Sequence, residues 1–138
     1  EVTLIGVVII THGNIAMEML NTTKFIMGKV EHMVAIGVEP QESVEELRRK
    51  INEAIKSVDQ GEGVLILTDM FGGTPSNVGL SFLEEGKVEV ITGVNLPVVL
   101  KLCTNRAGWN LSELASFVKS YGQKNITIAS EILRQRKK

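Results

Sequence analysis

The sequence predicts a doubly wound α/β fold, a mainly parallel sheet with helices on both faces. Apolar, β-branched runs alternate along the chain with segments of helical period, the order that builds such a sheet. The first of these runs is continuously apolar, as a strand covered on both faces is. The 138 residues show no repeat, linker or low-complexity stretch, so one domain over 1–138 is expected. A chain of about 150 residues buries roughly 70% of the surface it exposes when unfolded, enough for a core without disulfides or a structural metal.

Leu4 to Ile10 is the first strand, and Thr11, His12 and Gly13 end it. Asn14 can cap a helix from Ile15 to Met27, with Ile15, Met19, Thr23 and Ile26 on one side and Gly28 as its C′ residue. Met33 to Val38 is a second, weaker strand. Ser43 with Glu46 three residues on forms a capping box. It opens a helix carrying Val44, Leu47, Ile51, Ala54 and Val58 at helical spacing, which Gly61 stops.

Val64 to Thr68 is the third strand, ended by Asp69. Thr74 and Pro75 read as N-cap and first position of a helix running to about Glu85, before Gly86. Val88 to Thr92 is the fourth strand. Pro97 opens a further helix, and Asn110 with Glu113 caps one ending near Tyr121, with Gly122 beyond. Ile126 to Ala129 reads as a short last strand.

A net charge of −1 gives no global attraction for nucleic acid or anionic lipid. Arg134, Arg136, Lys137 and Lys138 make the one basic run, a solvated tail. Cys103 is the sole cysteine, which excludes an internal disulfide and favours a reducing compartment. Val2 to Ile10 has no cationic leader or cleavage site and is far shorter than the roughly 20 residues that span a bilayer. A cytoplasmic protein is expected, and the sequons at Asn21, Asn110 and Asn125 are chance matches.

Open parallel sheets form ligand sites at the carboxyl ends of their strands. Three such ends are polar or glycine-rich: Thr11-His12-Gly13-Asn14, Asp69 to Pro75, and Thr92-Gly93-Val94-Asn95. All three belong on one edge. His12 offers a nucleophilic imidazole near neutral pH, just before a helix N-terminus that favours an anion such as phosphate. Asp69 can bond one ring nitrogen, fix the tautomer and leave the other free to attack. Gly72 and Gly73 let backbone amides approach an oxyanion, and Thr74 adds a hydroxyl.

Taken singly these residues also read as structure: a histidine after a strand, an aspartate closing a turn, a glycine pair shaping a loop. The residues alone leave both readings open. His32 reads as surface and Cys103 as core packing. The chain has no Walker loop, no dinucleotide fingerprint and no nucleophile elbow. Zinc-ligand spacing is also missing. Its aromatics, Phe25, Phe71, Phe82, Trp109, Phe117 and Tyr121, are too scattered for a base-stacking surface. No metal, cofactor or nucleic acid is expected.

Three stretches carry a resemblance. Gly6 to Gly13 (GVVIITHG), Val64 to Asn77 (VLILTDMFGGTPSN) and Thr92 to Pro97 (TGVNLP) resemble, in order and in register, the signatures of mannose-family enzyme IIA domains of the bacterial sugar phosphotransferase system. The resemblance implies a doubly wound α/β homodimer in which the last strand is exchanged between subunits. It implies that His12 accepts a phosphoryl group from HPr and passes it to a IIB protein, serving a membrane permease only indirectly. It gives Asp69 the role of orienting the imidazole, and places Gly13, Gly72, Gly73 and Thr74 around the phosphate. Thr74 and Phe71 stand where other members carry Ser or Trp. IIB, fused in some members, is expected here on a separate chain or to have been removed. A second reading stays open, a regulatory or dihydroxyacetone-kinase-type module of the same fold.

Overall fold

A computed structural model describes residues 2–136; Lys137 and Lys138 of the basic tail lie outside the described residues. Four strands form one all-parallel sheet: β1 (Gly6–His12), β2 (Met33–Val38), β3 (Val64–Thr68) and β4 (Val88–Thr92). Their order across the sheet is β2-β1-β3-β4. Among the described residues six helices accompany them: α1 (Ile15–Met27), α2 (Val44–Val58), α3 (Thr74–Leu80), α4 (Leu96–Thr104), α5 (Leu111–Lys124) and α6 (Ala129–Arg136). None of the helices is long and apolar enough to cross a membrane among the described residues.

Alternation along the two central strands divides the core. Val7, Ile9, Leu65 and Leu67 face α1, α4 and α5, meeting Ala16, Leu20, Val99, Leu102, Leu114 and Val118. Val8, Ile10, Val64 and Ile66 face the other way, onto Leu47, Ile51 and Val58 of α2 and Val78 of α3. Both faces of β1 and β3 are therefore buried, which is why these strands need no polar alternation. The doubly wound reading of the sequence is the observed architecture.

Strand order explains where a site forms. The chain leaves β1 toward β2 on one side and returns through β3 on the other, so β1 and β3 flank the point where the winding reverses. In such sheets the crevice opens at that point, beyond the carboxyl ends of the strands. Val7 pairs with Leu65 and Ile10 with Thr68, a register that brings His12 and Asp69 to the same level.

Several boundaries differ from the expectation. β1 begins at Gly6 and runs through His12 rather than ending at Ile10. α3 stops at Leu80, five residues short. Beyond it Ser81, Phe82 and Leu83 make tight backbone bonds to Val78, Gly79 and Leu80, and Glu84 is captured in an isolated bridge with Val88, so the helical ladder cannot continue. Gly73, not Thr74, is the N-cap of α3.

α5 runs past Gly122 to Lys124. A Cβ on Gly122 would lie 2.8 Å from the Val98 side chain, so this glycine admits the close approach of α4 rather than ending the helix. Ile126 to Ala129 is not a strand. Asn125 closes α5 by donating to Tyr121 O at 2.8 Å, and Glu131 N–H donates to Ile128 O at 3.0 Å. Residues 126–128 thus form an irregular link and Ala129 opens α6, and Ile126 and Ile128 stay exposed at 78% and 61%.

Ser43 and Asn110 cap α2 and α5 as expected, accepting from Glu46 N–H at 3.1 Å and Glu113 N–H at 2.8 Å. Asn14 does not cap α1 through its side chain; buried Thr11 takes that part, as described below.

Candidate active site

β1 carries His12 to the carboxyl edge as its last residue, and Asp69 follows the last residue of β3. The strands are hydrogen-bonded neighbours, so residues 57 apart in sequence meet across one strand spacing. Asp69 Oδ2 lies 2.8 Å from His12 Nδ1 and accepts from His12 N–H at 3.2 Å. One carboxylate oxygen thereby holds both the ring and the backbone of the same residue.

Burial pushes the Asp69 carboxyl up, but the hydrogen bonds from the His12 ring, the His12 amide and its own amide outweigh it and hold the group below the ordinary carboxylate value. The carboxylate is therefore ionised at neutral pH and accepts the proton on Nδ1. That tautomer leaves a lone pair on Nε2. The histidine side chain is 48% exposed and that of the aspartate 14%: the imidazole is open to solvent while the carboxylate beside it is largely covered.

Two turns frame the ring. In the first, the Thr11 hydroxyl accepts from Ala16 N–H at 2.7 Å and donates to His12 O at 3.2 Å. It caps α1 and pins the His12 carbonyl at once. Gly13 turns with φ +52, its N–H donates to Val38 O at 3.1 Å, and a Cβ on Gly37 would strike the Gly13 carbonyl. Gly13 thus shapes the turn, its amide being taken up by β2.

The second turn runs from Asp69 to Thr74. Gly72 has φ +98, the left-handed region that suits glycine, and its N–H donates to Ser76 Oγ at 3.2 Å. Gly73 lies directly against the imidazole: a Cβ there would be 2.8 Å from Nε2, so only glycine fits. Thr74 is exposed at the head of α3. Among the described residues, the Gly73 and Thr74 amides have no hydrogen-bond acceptor.

The third polar segment shares this edge but serves the scaffold. Val94 N–H donates to Thr68 O at 3.1 Å. Asn95 accepts from Val98 N–H and donates to Gly122 O at 3.0 Å. Apolar side chains on these segments are exposed: Ile15 just after the first turn, Met70 and Phe71 within the second. Among the described residues, no cluster of three or more His, Cys, Asp or Glu could hold a metal ion.

Sequence reasoning missed Thr11 as the true cap, Ser76 and Arg106. Arg106, 3% exposed, lies at the opposite edge and donates to Leu102 O at 2.7 Å, Ile5 O at 2.8 Å, His32 O at 3.1 Å and Glu31 O. Nothing local in the sequence distinguishes it from a surface arginine. His32 is on the surface as expected, with φ +51, and Cys103 packs partly buried against the core.

Comparison with known proteins places this geometry in context. The sequence model of the family described as PTS system fructose IIA component matches residues 6–119. The fructose-specific EIIA component of Bacillus subtilis (strain 168) is 30% identical over 133 residues, covering 96% of this chain and 91% of that protein. The mannose-specific EIIAB component of Escherichia coli (strain K12) is 36% identical over 98 residues, 70% of this chain and 30% of its own length; the chain spans under a third of that longer relative. Among solved structures, phosphotransferase system component EIIA from Streptococcus agalactiae superposes with a TM-score of 0.84 at 25% identity, covering 93% of this chain and 99% of that one.

Proposed function

The chain belongs to the PTS fructose IIA component family, and we propose from this premise that it is a phosphocarrier of sugar uptake in which His12 is the phosphoacceptor. The observation that carries the reading is the 2.8 Å contact between Asp69 Oδ2 and His12 Nδ1, which leaves Nε2 as the nucleophile. The Nε2 lone pair forms the N–P bond as the donor's bond to phosphorus breaks. The ring becomes cationic at that moment, and the Asp69 carboxylate, already bonded to Nδ1–H, stabilises that charge. Transfer onward reverses these events with the acceptor as nucleophile.

Gly73 and Thr74, with amides facing no protein acceptor, are the groups best placed to bind the phosphoryl oxygens. Gly72 and Gly13 act through turn shape, since their amides already have acceptors. HPr is the donor and a IIB protein the acceptor in this reading. An exposed ring on segments that also expose Ile15, Met70 and Phe71 suits protein partners, which must bring their own reacting group to Nε2. The cytoplasm is the compartment, because both partners work there.

The reading includes a homodimer. Ile126 and Ile128 are exposed in the single chain, and a groove of about 420 Å³ runs between β4 and α5, along an edge strand with unpaired backbone groups. Exchange of the segment after α5 would cover both. Because α5 extends to Lys124, truncation after Asn125 is the informative cut. The truncated chain should sediment as monomer or aggregate, and a truncated chain that stays dimeric removes the segment from that role.

The direct test of phosphoacceptance is incubation with phosphoenolpyruvate, enzyme I and HPr, followed by intact mass spectrometry. One acid-labile, base-stable phosphoryl group is expected, and none on His12→Ala. Label retained on a folded His12→Ala chain defeats the assignment.

A further inference from the structure

We propose that Ser76 is a positioning residue for phosphoryl transfer: its buried hydroxyl fastens the Gly72–Gly73 turn against the imidazole and so sets the space in front of Nε2. The inference rests on reading His12 as the phosphoacceptor, and it concerns a residue that touches neither the ring nor the phosphoryl group.

Ser76 lies in the first turn of α3 and is 0% exposed. A fully buried hydroxyl is costly unless it is hydrogen-bonded, and this one accepts from Gly72 N–H at 3.2 Å. The segment it reaches is otherwise exposed: Met70, Phe71, Gly72 and Thr74 all face solvent. Beyond the Asp69 bonds to His12, two side-chain bonds hold this turn among the described residues. Thr68 Oγ1 donates to Met70 O at a long 3.4 Å, before the glycines, and Ser76 alone reaches the glycine pair.

Position matters here because of what comes next. Gly73 follows Gly72 directly, and its Cα is so near the ring that a Cβ would overlap Cε1 and Nε2. With Asp69 fixing Nδ1 on the other side, the ring is held between two walls, and Ser76 secures the one beside the reacting nitrogen. Displacing reacting groups by about 1 Å can cost two orders of magnitude in rate. The bond also occupies the Gly72 amide, which leaves Gly73 and Thr74 as the amides of this turn without an acceptor among the described residues.

The test compares the full-length chain with Ser76→Ala and Ser76→Thr, the latter keeping the hydroxyl. Phosphorylation is followed at varied HPr and, separately, with phosphoramidate, a small donor that needs no docking surface. Loss of one net hydrogen bond predicts a kcat about 10-fold lower for Ser76→Ala. KM for HPr should stay the same, phosphoramidate should show the same loss, and Ser76→Thr should recover most of the rate. Exchange of the Gly72 amide proton, measured by NMR, should be slow in the wild type.

A folded Ser76→Ala chain with wild-type kcat, or one altered only in KM for HPr, overturns the proposal. If Ser76→Ala does not fold, the wild-type amide decides: exchange as fast as in an unstructured peptide removes the tether and the proposal with it. A wild-type chain that takes no phosphoryl group from either donor overturns the phosphoacceptor reading itself, an outcome distinct from failure of the Ser76 variants alone.

Discussion

At the amino edge of the sheet, Arg106 donates to four main-chain carbonyls, those of Leu102, Ile5, His32 and Glu31, and is closed off from water. At the carboxyl edge of the same sheet, His12 makes a single side-chain bond, leaves Nε2 unbonded and is half exposed. Asp69 Oδ1 beside it is buried without a hydrogen-bond partner among the described residues. One edge saturates its polar groups and ties α4, β1 and the entry to β2 together. The other leaves polar groups unsatisfied, the exposed His12 ring among them. In the proposed reading, stability and reactivity are assigned to opposite ends of the same strands, and the carboxyl edge keeps unmet bonds without loosening the core.

Substitutions at the two ends should separate these properties. The largest stability effect is expected for Arg106→Met, which fills the space but leaves four carbonyls without their donors. Urea unfolding should show a loss of about 3 kcal/mol, while the folded fraction is phosphorylated at the wild-type rate. A slowed rate per folded molecule would mean that the two edges are coupled.

Asp69→Asn should do the reverse. An amide cannot supply the charge that stabilises the imidazolium, and transfer should slow by about 100-fold or more, with a far smaller change in unfolding midpoint. Near-wild-type transfer in the folded variant would remove Asp69 from the mechanism.

Gly73→Ala places a methyl where the ring stands. It should slow transfer by about 10-fold and shift the imidazole NMR signals, with the fold intact. Unchanged ring signals would show that the turn yields instead.

The smallest effect is a pH dependence. The Asp69 carboxyl is held below its ordinary value, so it contributes stability above the unfolded value of about 3.9, and that contribution is lost as pH falls through the folded value. The stability difference between wild type and Asp69→Asn should therefore shrink below about pH 4. A difference that is constant from pH 7 to 3 would mean that the bond does not favour the ionised form.

How much of this was legible beforehand depends on how local the cause is. Strands β2, β3 and β4 and helices α1 and α2 stand where periodicity and caps put them, because a buried run or a capping box is a property of neighbouring residues. The three polar strand ends could be assigned to one edge, since parallel strands share direction. His12, Asp69 and the Gly72–Thr74 turn were all recognisable as candidates from residue type and position.

What the sequence by itself determined was the set of elements and the residues that gather at the carboxyl edge. Only the tertiary structure decided which of those residues meet. The order β2-β1-β3-β4 makes β1 and β3 neighbours and brings His12 to Asp69 across 57 residues; another order of the same strands would part them. It also decided that the Thr11 rather than the Asn14 side chain caps α1, that Gly122 serves helix packing, that residues 126–128 form an irregular link rather than a strand of the sheet, and that Arg106 is buried. Each is settled by a partner distant in sequence or by a bond competing with the local pattern, and neither can be read from a residue's neighbours along the chain.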